Sequence, residues 1–369
     1  MVLDPKTPHN DLPLLPPDRN IESRRILKKC IDARTAIAEL KQAGRLIPEQ
    51  SVLINAIPLL EAQTSSEIEN IVTTTDKLFK YTALNEERAD AATKETLRYR
   101  QALSHGCQFI KKRPVSTVTA IEICSQIRNT DVTIRKGAGT VLSNPFTQET
   151  IYTPPVGEDV IEAKLSNWEH FLNESIGIDP LIRMAVMHYQ FEAIHPFTDG
   201  NGRTGRLLNI LFLVQEQLLE TPILYLSKYI IDNRRAYYAN IRAVTEQQEW
   251  EEWILYMLNA VEQTAHWTNR KILAIKDLLE HTCDYVKTKA PKIYSRELIE
   301  VIFTQPYCRI ENVVEAQIAQ RQTASTYLKK LAEIGILDER KEGRDRLFIH
   351  PKFLELLKSD DNTYRRYQF

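Results

Sequence analysis

Residues 195–206 read HPFTDGNGRTGR and bring together side chains able to handle a proton, a metal and an anion. His195 is an imidazole whose ordinary pKa of about 6.5 lets it take a proton from an attacking hydroxyl near neutral pH. Asp199 offers hard oxygens suited to Mg2+, and Gly200 and Gly202 permit a tight turn whose backbone N–H groups converge. Arg203 and Arg206 add planar guanidinium forks that match phosphate oxygens. Base, anion nest, metal carboxylate and arginines are the parts of phosphoryl or nucleotidyl transfer, where positioning and charge stabilisation supply most of the catalysis.

Other readings of the same residues are weaker. GNGRTG satisfies G-x-G-x-x-G, but a dinucleotide fold needs a strand before the first glycine. Here Leu181, Ile182, Ala185, Val186, Tyr189 and Ile194 carry the spacing of a helix face. A P-loop fails because Leu207 follows Arg206 where Lys-Ser/Thr is required. His188, Glu192 and His195 fall at i, i+4 and i+7 as zinc ligands would, yet H-E-x-x-H is missing and Pro196 disturbs the turn that carries His195. Taken singly, a histidine before proline is usually a cap and G-N-G usually a plain turn; their company within one short stretch favours function.

The stretch resembles the Fic motif, H-P-F-x-[DE]-G-N-G-R-x-x-R, at every position. The segment ending in YTPP looks like that family's flap, and QFEAIHPF like its approach to the histidine. The resemblance implies a protein adenylyltransferase that moves AMP from ATP to a target hydroxyl (Tyr, Thr or Ser) and releases pyrophosphate. His195 would then be the base and Asp199 the Mg2+ ligand, while Gly200, Asn201 and Gly202 would form the anion hole. Arg203 and Arg206 would bind phosphates, with Arg206 near the γ-phosphate; Thr204 and Gly205 complete the ATP-contacting turn, and Phe197 is buried beneath it. Tyr238, in preference to Tyr237, would clamp adenine. Ser65-x-x-x-Glu69-Asn70 matches the family's inhibitory [ST]-x-x-x-E-[GN], which implies autoinhibition by Glu69 pairing with Arg206. In some relatives that glutamate supports AMP removal, so a de-AMPylating hydrolase is an alternative. From spacing alone, Ser66 and Glu69 read instead as a capping box at a helix N-terminus.

The elements that must position these groups follow from pattern. Pro196 biases His195 away from helical geometry and ends a first helix there; TGRLLNILFLVQ restarts a second whose positive end faces the turn. Between about Arg135 and Asp159, β-branched runs flank Asn144-Pro145 and predict a hairpin. Its edge over residues 140–155 can dock an extended segment of a target protein. Before it come a proline-dense arm from Pro5 to Pro17, a helix from about Ile21 punctuated by Gly44 and Pro48, and helical runs LLEAQTSSEIENIVTTTDKLFKY and ERADAATKETLRYRQALSHGCQFI. Trp250 and Trp253 are expected in the core. After residue 300 a short helix, a turn, a helix from about Thr323 to Ile334 and two strands around Glu342-Gly343 predict a winged helix-turn-helix. The expected fold is mainly α: a Fic-type helical core with a β-hairpin flap, plus that C-terminal domain. The expected division is 1–112 (N-terminal helical region with the inhibitory motif), 113–265 (catalytic core), 266–290 (connecting helix) and 291–369 (winged helix).

Composition sets the outer limits. Lys plus Arg (48) nearly balances Asp plus Glu (49), so any anion binding is local rather than global. In the winged helix, Arg321, Lys329, Lys330, Arg340, Lys341, Arg344 and Arg346 barely exceed the acids. That is weak for DNA, where phosphate neutralisation supplies most affinity. DNA, a protein partner and homodimerisation all stay open for this domain, and a DNA-binding regulator with the core as nucleotide sensor is the alternative to an enzyme. Five dispersed cysteines without C-x-x-C argue against zinc ribbons and disulfide frameworks. No signal peptide or run of about 18 apolar residues is evident, so a cytoplasmic location without membrane contact is expected.

Overall fold

The computed structural model describes residues 4–46, 51–84, 86–137, 139–143, 147 and 149–368. The N-terminal half is helical: α1 (Arg24–Leu46), α2 (Ser51–Ile68), α3 (Thr75–Ala83), a 3-10 turn Glu86–Arg88, α4 (Ala91–Phe109) and α5 (Thr117–Arg128). Local signals set the starts of three of these. The side chains of Thr74, Asp90 and Ser116 accept from the backbone N–H of Lys77, Thr93 and Thr119, satisfying first-turn donors. Gly44 does not end α1; it lies within the helix, where the Ile223 side chain packs 3.0 Å from the place a Cβ would occupy. Close packing, rather than punctuation, is the reason for that glycine.

The capping-box reading of Ser66 and Glu69 is overturned. Both stand at the C-terminal end of α2, and Asn70 adopts the left-handed conformation (φ 62°) that closes a helix. The N–H groups of Glu69 and Ile71 both bond to the Ser66 carbonyl. The helical run read through residues 59–81 is therefore broken between Ile68 and Thr75.

The flap follows as β1 (Leu142–Ser143) and β2 (Thr150–Tyr152), antiparallel with Leu142 opposite Tyr152 and Ser143 opposite Thr150. Its expected Asn144-Pro145 turn lies outside the described residues. Then come α6 (Glu158–Glu174), α7 (Pro180–Ile194), α8 (Asn201–Gln215), α9 (Leu226–Asp232), α10 (Arg234–Gln247) and the 40-residue α11 (Trp250–Lys289). α7 and α8 are buried nearly all round, as befits the central pair of a bundle. Trp250 and Trp253 are in the core. One continuous helix thus spans the stretch expected to hold the end of the core and a separate connecting helix.

The remainder is α12 (Arg296–Thr304), β3 (Tyr307–Cys308), α13 (Ile310–Glu315), α14 (Arg321–Glu333), β4 (Asp338–Glu342), β5 (Asp345–Ile349) and α15 (Pro351–Lys358), with sheet order β3-β5-β4. Two hydrophobic cores result, and α2 and α11 belong to both. Ile57, Leu60 and Ile68 of α2 pack with α7 and α8, whereas Ala56 and Leu59 pack with α12, β5 and α15. All five cysteines are free, and among the described residues no helix is long and apolar enough to cross a membrane.

Candidate active site

Asp179 caps α7 and Pro180 opens it, so a rigid helix delivers His195 at its end. His195 takes φ 50° and ψ 59°, and its N–H closes the helix on the Phe191 carbonyl 3.0 Å away. The loop is then locked from within. Asn201 Oδ1 accepts from Phe197 N (2.9 Å) and Asn201 Nδ2 donates to Phe197 O (2.8 Å), over a fully buried Phe197 ring. Gly200 adopts φ 88°, and a Cβ there would come within 3.1 Å of Cys124 Sγ. α8 begins at Asn201, so its unsatisfied first-turn N–H groups and positive end face the loop. This is an anion nest.

Each motif cation is paired with a carboxylate from a distant element. Arg206, almost fully buried, donates from Nε to Ser65 Oγ (2.9 Å) and from Nη2 to Ser65 O (2.9 Å) and Glu69 Oε1 (2.8 Å). Burial disfavours its charge, but the Glu69 and Glu192 carboxylates outweigh that and raise its pKa. Arg203 donates to Glu95 on α4 (2.6 Å), and Asp199 pairs with Arg128 at the end of α5. Glu69 reaches so far in that a Cβ on Gly202 would collide with its Oε1. The carboxylate therefore lies against the nest, on the arginine expected to hold phosphate.

Burial depresses the His195 imidazole to about 4, although the Glu192 backbone carbonyl, Glu69 and Asp199 all favour its protonation. Burial likewise lowers His188 to about 3 and raises the Glu192 carboxyl to about 7. His195 is thus neutral near pH 7 and able to accept a proton.

His195, Asp199, Gly200, Gly202, Arg203, Arg206 and Glu69 converge on one loop mouth. Asn201 is there too, but its side chain serves the loop rather than the nest. Thr204 is buried, and Gly205 faces α7, where a Cβ would stand 2.6 Å from Glu192 Oε1; that glycine lets the two central helices approach. Tyr237 is buried with its hydroxyl on His188 Nε2 (2.8 Å), whereas Tyr238 is 47% exposed beside Arg234. Of the rival zinc set, His188 is committed to Tyr237, and no group of three candidate ligands occurs among the described residues. One donor suited to Mg2+ is present: Asp199, a half-exposed carboxylate at the nest that pairs with Arg128, of the kind that holds Mg2+ together with substrate phosphates. Sequence reasoning missed Glu95, Arg128 and Arg135. Their partners in the motif, Arg203, Asp199 and His195, lie 60 or more residues away, and no local spacing announces such pairs.

Residues 27–108 match the Fic/DOC family N-terminal model, residues 114–213 the Fic/DOC family model, and residues 278–353 the model described as protein adenylyltransferase SoFic-like, C-terminal domain. Over 92 residues the chain is 37% identical to protein adenylyltransferase fic-1 of Caenorhabditis briggsae, a match spanning 24% of this chain and 17% of that protein. Over 56 residues it is 43% identical to protein adenylyltransferase Fic of Drosophila mojavensis, spanning 15% of this chain and 11% of that protein. Among solved structures, a Fic family protein from Desulfovibrio desulfuricans G20 superposes with a TM-score of 0.52 at 18% identity, covering 87% of this chain and 95% of that one. Fic-1 from C. elegans (aa134 - 508) superposes with a TM-score of 0.50 at 22% identity, covering 69% and 73%. These two likenesses concern the fold.

Proposed function

From a chain that carries Fic/DOC family domains over residues 27–108 and 114–213 and a SoFic-like C-terminal domain, we infer a protein adenylyltransferase held inactive by Glu69. In the reaction the oxygen of a target side-chain hydroxyl attacks the α-phosphorus of ATP. The bond from that phosphorus to the oxygen bridging to the β-phosphate breaks, pyrophosphate leaves, and His195 takes the hydroxyl proton. The N–H groups at the start of α8 stabilise the charge on the α-phosphate oxygens. Arg203 and Arg206 hold the remaining phosphates, and the half-exposed Tyr238 ring borders the adenine. Asp199 would hold Mg2+, which supplies charge neutralisation on the phosphates when bound. An extended target segment adds to the flap edge, where Val141 and Ile151 are each 46% exposed.

The observation that carries this reading is the position of Glu69, on Arg206 and against Gly202. A carboxylate there competes with phosphate for one guanidinium fork, and a triphosphate displaced from that fork loses in-line geometry. The test is incubation with ATP labelled at the α- or γ-phosphate. α-Label should enter protein, γ-label should not, and incorporation should vanish in His195→Ala. Incorporation of γ-label would mean a kinase, and no incorporation even with Glu69→Gly would defeat the assignment.

A further inference from the structure

Four consecutive carbonyls, those of Ala193, Ile194, His195 and Pro196, end α7 and enter the loop, and each accepts a hydrogen bond from the flap segment. Tyr152 Oη donates to Ala193 O (2.9 Å). Arg135 Nη2 donates to Ile194 O (2.9 Å), Arg135 Nε to His195 O (2.7 Å), and the Arg135 backbone N–H to Pro196 O (2.9 Å). The same Nη2 also donates to Pro155 O (2.6 Å), just beyond β2. Both side chains are buried, at 5% and 8% exposure. One guanidinium therefore joins the exit of the flap to the residue that presents the imidazole.

The end of a helix leaves its last carbonyls without partners, and a left-handed residue there is ordinarily glycine. His195 carries a Cβ, so its left-handed conformation is strained and persists only where its surroundings fix it. Charge-assisted bonds from a fork are about twice as strong as neutral ones, and the planar guanidinium reaches two neighbouring carbonyls at a fixed angle. A lysine places one point charge and cannot reproduce that spacing.

We propose that Arg135 is the positioning residue that holds His195 in its reactive conformation and ties it to the flap, with Tyr152 as the second anchor. The inference rests on the reading of His195 as the base. A target strand that stiffens β2 also stiffens Tyr152, Pro155 and Arg135, and through them the imidazole, so substrate docking and base alignment become one event.

The variants are Arg135→Gln, Arg135→Lys and Tyr152→Phe, each made with and without Glu69→Gly. With Glu69→Gly, kcat for AMP transfer should fall about 100-fold for either Arg135 variant, the order expected for a misplacement near 1 Å, while KM for ATP is little changed. Tyr152→Phe should lower kcat about tenfold by the same effect on a single anchor. Independently of catalysis, an NMR titration of the His195 imidazole should move from about 4 toward the ordinary 6.5 in Arg135→Lys, which keeps the nearby cation, so that only loosened burial of the ring can move it. The groups acting on that imidazole are Arg135, Asp199, Glu69 and the Glu192 carbonyl. A role limited to stability would lower Tm and leave the titration and the kcat–KM split in place, which would overturn the proposal. If the Arg135 variants do not fold, Tyr152→Phe, which also keeps the cation, supplies the titration. If the Glu69→Gly parent transfers no AMP, the functional reading fails, yet the His195 titration still decides the role of Arg135.

Discussion

A histidine near 4 changes where catalysis should fade with acid. The base works only when neutral, so activity is present above its pKa and lost as pH falls through it; an ordinary imidazole would begin to fail at about 6.5. For His195 the loss belongs near 4, and removing Glu69, which favours the protonated form, moves it lower. In the Glu69→Gly/Glu192→Gln protein, which lacks the other carboxyl titrating in this range, kcat/KM for ATP measured from pH 7.5 to 5.5 should stay flat, and a drop centred near 6.5 would show that burial does not govern His195. Glu69 itself allows a second prediction. A hydrogen bond to a charged group is worth about 1.5–3 kcal/mol, so freeing Arg206 should raise α-label incorporation about 10- to 150-fold in Glu69→Gly, read by initial rates at subsaturating ATP. The chemical groups themselves were legible in HPFTDGNGRTGR because their types and spacing carry the chemistry. Their partners were not: Glu95, Arg128 and Arg135 meet the motif only through tertiary folding.

A helix must place the Glu69 carboxylate, and α2 has one face built for this. Glu61, Ser65 and Glu69 follow at four-residue intervals, so they stack along one side. Ser65 bonds Arg206 twice, and the fully buried Glu61 accepts from the Ser227 backbone N–H (2.9 Å), the Ser227 hydroxyl and Tyr99 Oη (3.3 Å). Glu61 therefore fixes the register of α2 two turns before its end. Glu61→Ala orphans buried donors at about 1–3 kcal/mol each and should lower Tm while raising labelled-AMP incorporation; Glu61→Gln keeps an acceptor for the Ser227 N–H and should do less of both. An Ala variant as inhibited as the wild type would leave register to the other contacts of α2. At this scale the sequence was only partly legible. Helix existence followed from apolar periodicity, but Ser66 and Glu69 fit a helix start as well as a helix end. The difference was made by Asn70, which can take the left-handed turn and terminate α2.

Across the whole molecule, α2 and the following α3 stand between the nest and the C-terminal domain. The tip of the β4–β5 hairpin is tied back onto the N-terminal helices by Lys80–Glu342 (2.7 Å) and Arg88–Asp345 (3.2 Å), and Tyr307 Oη bonds Asp76 (2.8 Å) at the start of α3. With Glu342 and Asp345 engaged in this way, the hairpin tip faces the protein's own helices. The two cores meet on α2, so a load applied to the C-terminal domain reaches the helix that ends just before Glu69. This linkage was invisible in sequence because the paired charges lie 257 and more residues apart. Exposed ion pairs contribute about 0.2–1 kcal/mol each, so the expected effects are small and call for a double-mutant cycle. Lys80→Glu opposes Glu342 with a like charge and should speed amide hydrogen exchange in α2 and α3 while raising AMP incorporation about 1.4- to fivefold, the rate equivalent of that energy. Adding Glu342→Lys restores opposite charges and should bring both readouts back. If exchange in α2 rises without any change in transfer, the C-terminal domain stabilises α2 but does not control Glu69. If both rise and are rescued together, a partner that grips the C-terminal domain has a physical route to the active site.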